Sequence, residues 1–322
     1  MRSRLALASL FVVVAAARGS GQCAPGIQKL VTDQKYDEAR AEVAALIKKN
    51  PADDAALHCM GRLYLAENKS GDAVDWFEKA VKANDNSALH HLFLGNALGN
   101  EAEKANKLRQ PMLARRVKSE FERAVALDPN LVDAHQGLMQ FYLHAPGFMG
   151  GSQEKAKGQA DAILRINPLR GHFALANLAD YNKDMTTVEG ELKAALAVAP
   201  DSLNAWNSLG SFYQNQKRWP DAFALYERMM ADKPSEILAH FQYGRVAALS
   251  GENMERGERE LRYWLSSAPS DAPIPTRSGA HMRIAMIYER QGKKDAARAE
   301  YQTALSINPK NTEAKQRLDA LK

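Results

Sequence analysis

One arrangement of residues returns along this chain at nearly constant spacing, and it restricts the possible folds more than any other feature. In the stretch "AWNSLGSFYQ", Trp206, Leu209, Gly210 and Tyr213 fall at i, i+3, i+4 and i+7, one face of a helix. Ala222, Tyr226 and Met229 continue on a second helix, and Pro234 stops it. The same frame recovers Leu57, Met60, Gly61, Tyr64, Ala73, Phe77 and Ala80, and again Ile284, Ala285, Tyr288, Ala297, Tyr301, Ala304 and Pro309. Each unit reads as two helices joined by a turn, with small residues where the helices approach closely. The closing position falls at residues 51, 85, 129, 168, 200, 234, 269 and 309, all prolines except Asp85, where "ANDNS" supplies the turn. The steps between them are 34, 44, 39, 32, 34, 35 and 40 residues, so steps above 34 are insertions and 32 is a shortened turn.

These units resemble the tetratricopeptide repeat, whose pattern is W-x2-L-G-x2-Y…A-x3-F…P over 34 residues. The resemblance implies an all-α fold, a right-handed tetratricopeptide repeat superhelix (an α-solenoid). About eight helix-turn-helix repeats would cover residues 22–322, the first opening with a truncated helix near residues 25–32. A final helix over residues 312–321 would cap the exposed apolar end. In that family the first helix of each pair lines the concave surface, and positions 2, 5, 9, 12 and 13 of it commonly contact partners.

Carried over, those positions imply a peptide-binding groove of Arg62, Asn96, Asn100, Gln136, Gln140, Asn207, Ser211, Gln214, Asn215, Phe241 and Arg245. His58, Leu92, His144, Met282, Met286 and Arg290 fall on the same carried-over face. Amides both donate and accept hydrogen bonds, so a row of them suits the main chain of an extended peptide while apolar patches hold side chains. The Lys and Asn pattern with which some family members hold a C-terminal carboxylate is out of phase here.

The N-terminus reads differently. "MRSRLALASLFVVVAAARGSGQ" has Arg2 and Arg4, thirteen small or apolar residues over 5–17, then further small residues. That is the order of a secretory signal peptide, placed at residues 1–21, and the apolar run is too short for a stable membrane anchor. A periplasmic or extracellular location follows as the expectation. Gln22 before Cys23 argues against a lipid-attachment site. Losing Arg2, Arg4 and Arg18 takes the 43 basic residues to 40 against 38 acidic ones, so global charge suggests no nucleic-acid partner. Cys23 and Cys59 either form a bridge in an oxidising compartment or remain two unpaired thiols.

Three insertions interrupt the array. "NEAEKANKLRQPMLARR" should extend a helix over residues 101–107 and let Pro111 open its partner. Its basic residues, Lys104, Lys107, Arg109, Arg115, Arg116 and Lys118, read as a solvated face, the alternative being contact with an acidic partner or anionic lipid. "HAPGFMGGSQEKA" is a glycine-rich turn whose Phe148 and Met149 should fold back onto the hairpin, the alternative being a contact point. "APSDAPIPTRSG" reads as a stiff extended linker.

No phosphate-binding loop, H-E-x-x-H, paired C-x-x-C or G-x-S-x-G is present. His91, His135, His240 and His281 all take the place of Trp206 in the repeat, one per repeat, which suits packing and not a convergent metal site. No catalytic residue, metal or cofactor is assigned. The sequence thus favours a non-catalytic interaction scaffold that binds a protein or peptide partner. The alternative is a cell-envelope polysaccharide or glycan binder using the amides, arginines and Tyr142, Tyr213 and Phe241.

Overall fold

A computed structural model of the chain describes residues 23–269 and 276–321. The leader expected at residues 1–21 and the greater part of the linker expected around Pro273 and Pro275 lie outside the described residues. Those residues form seventeen α-helices and, among them, no strand. They divide into two compact units, one ending at Leu178 and the other beginning at Ala179.

The first unit contains α1 (Pro25–Thr32), α2 (Tyr36–Lys49), α3 (Asp54–Ala66), α4 (Ser70–Ala83), α5 (Ala88–Lys104), α6 (Gln110–Leu127), α7 (Val132–His144) and α8 (Gln153–Ile166). A 3-10 turn, Gly147–Met149, follows α7, and α9 (Pro168–Tyr181) runs past the unit boundary. Local chemistry sets the ends of these helices. The Asp53 carboxylate accepts from the Ala56 N–H and the Ser152 hydroxyl from the Lys155 N–H, each satisfying an otherwise orphaned helix donor. Pro111 is the second residue of α6, where a missing N–H breaks no helical bond. Helix α5, expected to continue to residue 107, ends at Lys104. Asn106 Oδ1 accepts from the backbone N–H groups of Leu108 and Arg109 and turns the chain instead.

Phe121 of α6 packs so tightly on Gly95 of α5 that a Cβ there would stand 2.7 Å from the ring. Burying a ring of this kind stabilises by about 1.5–3 kcal/mol, and only a residue without a side chain admits it. Cys23 and Cys59 are bonded, their Cα atoms 5.3 Å apart, so the bridge and not the pair of thiols is realised. It ties the entry of α1 to α3.

Three of the six basic residues of the insertion, Lys104, Arg116 and Lys118, are held by partners of their own unit. Lys104 Nζ donates to Ser70 Oγ at 2.8 Å and to the Asn68 carbonyl at 3.0 Å, and Lys118 lies 3.4 Å from Glu122. Arg116 pairs with Glu78. Phe148 is 84% exposed, so of the two apolar residues expected to fold back only Met149 turns inward.

The second unit contains α10 (Met185–Val198), α11 (Leu203–Asn215), α12 (Trp219–Asp232), α13 (Leu238–Ser250), α14 (Met254–Ser267), α15 (Arg277–Arg290), α16 (Lys294–Ile307) and α17 (Thr312–Ala320). Two devices recur in both units. The turn inside a repeat places Gln34, Asn68, Lys183, Lys217 and Gly292 in the left-handed region, with φ of 58°, 59°, 60°, 54° and 72°. Only the last is glycine, so the helix–helix geometry imposes the conformation at about 1–2 kcal/mol per non-glycine residue.

The second device is the ring at the Trp206 position. The indole Nε1–H donates to the Pro200 carbonyl at 2.9 Å. His91 and His135 make the same bond through Nε2, to Asp85 O at 3.0 Å and Pro129 O at 2.9 Å. Imidazole adds what indole lacks, a second nitrogen. Nδ1 meets Glu120 at 2.7 Å, Gln159 at 2.7 Å, Glu260 at 2.5 Å and Glu300 at 2.6 Å for His91, His135, His240 and His281. These histidines are therefore structural, each held by its own partners.

Candidate peptide-binding groove

In the first unit a cavity of about 1050 Å³ opens against the first helices of successive repeats. Arg62 comes from α3, Asn96 and Asn100 from α5, and Gln136 and Gln140 from α7, so five residues expected to line a groove converge on one space. The i, i+4 spacing of Asn96 with Asn100, and of Gln136 with Gln140 and His144, puts each set on one helix face. Leu92, Phe93, Val117, Phe121 and Phe141 supply an apolar lining, and Gln28, Glu103, Met149 and Arg170 also border the space.

The polar groups here differ in how far they are already committed. Arg170 Nη2 donates to Asp133 Oδ1 at 2.6 Å and to Gln136 Oε1 at 2.8 Å. Gln140 donates to Asn177 Oδ1 at 3.1 Å and faces His144 Nε2 at 3.0 Å. Asn96 and Asn100 are exposed, and among the described residues neither side-chain amide has a hydrogen-bond partner. Arg62 is half-buried beside the Phe93 ring, 5.5 Å from its centroid, and no carboxylate among the described residues pairs with it. Burial alone lowers its guanidinium from the ordinary value. An uncompensated, partly dehydrated cation and two free amides thus face an apolar surface.

Other expected positions behave differently. His58 is fully buried between Phe77 and Phe93, with centroid separations of 5.2 and 4.8 Å. Leu92 touches the cavity from within the core, and Met282 and Met286 are buried. In the second unit, Gln214 is only 7% exposed, and its Nε2 donates to Tyr226 Oη at 3.1 Å. Phe241, also 7% exposed, packs edge-on against Trp264 at 5.2 Å. Both were expected on a groove wall and are core residues instead, because their neighbours offer a ring or hydroxyl more favourable than water. Asn207 accepts from Gln242 at 3.4 Å, Ser211 and Asn215 are exposed, and Arg245 is half-buried with an unpartnered Nε. None of these second-unit residues borders the cavity.

The sequence reading missed Phe93, Phe121, Phe141 and Arg170 as contributors to this site. Phe121 carries a signal, since it is the second-helix aromatic that fits against a glycine. The others lie between the family's contact positions and carry none.

Among the described residues no cluster of three or more His, Cys, Asp or Glu side chains is arranged to hold a metal. No described helix is long and apolar enough to cross a membrane.

Comparison with known proteins agrees with the architecture. Models of the tetratricopeptide repeat match residues 28–88, 173–237 and 278–311. The peroxisomal targeting signal receptor of Eremothecium gossypii is 22% identical over 64% of this chain and 34% of its own length. The human antiviral innate immune response effector IFIT1 is 21% identical over 60% of this chain and 45% of its own. The chain thus spans less than half the length of both curated relatives. Yeast Tom70 has a similar fold, with a TM-score of 0.59 at 13% identity over 90% of this chain and 59% of that one. With its repeat frame, its helix pairs and these matches, the chain belongs to the tetratricopeptide repeat family.

Proposed function

We propose that this protein is an interaction scaffold that holds an extended protein segment in the cavity of its first unit. Tetratricopeptide repeat proteins bind protein partners, and one relative is named as a receptor for a targeting signal. The observation that carries the reading is the set of groups at the cavity that no protein partner occupies: the exposed Asn96 and Asn100 amides and the half-buried Arg62 guanidinium over an apolar surface. Free amides suit the backbone of an extended chain, Arg62 suits an acidic side chain, and Phe93 and Phe141 suit an apolar one. The volume is at the upper end for binding clefts, roughly 300–1000 Å³, which fits a short segment and not a folded domain.

Selection from a displayed library of random twelve-residue peptides tests this. The chain should enrich peptides with acidic and apolar residues. Their affinity, read by fluorescence anisotropy, should fall about tenfold or more in Asn96→Ala with Asn100→Ala, a loss of ~1.4 kcal/mol. Failure to enrich any peptide, or equal binding by the double variant, removes the groove from the account. Enriched peptides without acidic residues remove Arg62 from it.

Export from the cytosol is part of the same reading. The Cys23–Cys59 bridge supports an oxidising compartment. N-terminal sequencing of the mature protein should begin after residue 17 or 21, and recovery of the intact leader would count against it.

A further inference from the structure

Beside the Arg62 end of the cavity two imidazoles are sealed in the core. His58 of α3 and His90 of α5 are both fully buried, and their Nδ1 atoms face each other at 3.0 Å. His90 Nε2 lies 3.0 Å from Asp54 Oδ2, which also accepts from Asn84 Nδ2 at 2.8 Å. The hydrogen positions follow by elimination. An ionised carboxylate only accepts, so His90 Nε2 carries a hydrogen. In the neutral ring Nδ1 is then a lone pair, and His58 must donate its Nδ1–H to it. His58 Nε2 is left as a bare acceptor, buried, with no partner.

One added proton fits this arrangement without breaking it. It bonds to His58 Nε2, and the hydrogen on His58 Nδ1 crosses to His90 Nδ1. One N–H bond forms at His58 Nε2, one breaks at His58 Nδ1 and one forms at His90 Nδ1. His58 stays neutral, and the single positive charge settles on His90 against the Asp54 carboxylate. The contact between the rings survives with its direction reversed. A second proton would set two N–H groups head to head, so the pair takes one.

We propose that His58 and His90 form a one-proton relay that sets the charge beside Arg62, so that the groove holds an acidic segment more tightly as pH falls. This rests on the groove reading above. The charged groups facing the pair are Asp54 and Arg62 on α3 and His91 on α5, the last held by Glu120 of α6 and by Asp85 in the turn before α5. Burial, then the charges of His90 and Arg62, holds His58 well below the ordinary imidazole range, with Asp54 opposing. Burial also lowers His90 against the pull of Asp54. The pair is neutral at pH 7 and charges in acid. By reciprocity, a carboxylate bound at Arg62 raises the proton affinity of the pair by the factor that the proton raises its binding.

Two-bond proton–nitrogen spectra of the histidine-labelled full chain, recorded from about pH 8 to pH 4, read each ring directly. At high pH His58 should be the Nδ1–H form and His90 the Nε2–H form. On acidification both should change in one shared transition, His58 to the Nε2–H form and His90 to the imidazolium. Separate transitions, or none before the fold is lost, overturn the relay. A labelled copy of an enriched peptide, with cysteic acid replacing its acidic residue to keep its charge constant, then reads the coupling. Its affinity should rise about fivefold between pH 7.5 and pH 5.0, and the rise should be lost in His58→Phe with His90→Phe, which removes both rings that share the proton. A shared transition with unchanged affinity overturns the link to the groove. Failure of the display selection overturns the groove reading, and the binding consequence with it, while a shared transition would still establish the relay.

Discussion

Gln136 and Phe241 stand at the same place in their repeats, one residue after His135 and His240, yet they end in opposite surroundings. Gln136 lines the first-unit cavity, held by Arg170, whereas Phe241 is packed into the second unit against Trp264. Arg62 and Arg245 make a second such pair. Arg62 borders open space beside Phe93, while Arg245 lies within the field of the buried Tyr226 hydroxyl, which burial pushes up to about 12. The contrast shows that repeat position gives a side chain a direction, and the size and polarity of what it meets decide whether it becomes wall or core.

The largest test of that contrast is truncation of Phe241. Phe241→Ala should cost roughly 3–5 kcal/mol in chemical denaturation, whereas Asn100→Ala should stay within about 0.5 kcal/mol. A stable Phe241→Ala variant that had lost peptide affinity would place the ring on a binding wall and break the comparison. Next comes the staple, present in the first unit through Cys23 and Cys59 across 36 residues of sequence separation. Its reduction should lower the stability of the first unit by roughly 3–4 kcal/mol. Hydrogen exchange should localise the loss to α1–α3 and leave α10–α17 unchanged.

The smallest effect belongs to His91. Burial pulls its imidazole down, but the Glu120 carboxylate, the Asp85 carbonyl and the Asp85 charge outweigh burial and raise it. Protons are thus bound more tightly in the folded state than in the unfolded one. The pair's stabilisation is complete below the unfolded value of about 6.5 and is lost as pH rises through the higher folded value. Glu120→Gln should flatten the dependence of stability on pH above 6.5, and an unchanged slope would remove the ion pair from the account.

Much of this molecule is legible in its residues because the repeat is a local code. Helix pairs, the ring at the Trp206 position and the small residues under Phe121 and Tyr226 all depend on contacts within one repeat or with the next. The left-handed turn was hidden, since Gln34, Lys183 and Lys217 have no intrinsic preference for it. The end of α5 was hidden too, because Asn106 competes with the helix through a side-chain bond that periodicity does not register.

The candidate site divides along the same line. The family's contact positions, carried over onto the repeat frame, put Arg62, Asn96, Asn100, Gln136 and Gln140 on faces that could meet, since a helix repeats its direction every 3.6 residues. Whether such a face meets solvent, a cavity or another side chain is settled between repeats far apart in sequence. Only the packed structure therefore drew Gln214 to Tyr226, closed the bridge between Cys23 and Cys59, and set His58 against His90, because each of those contacts exists only once separate helices have come within a few ångströms.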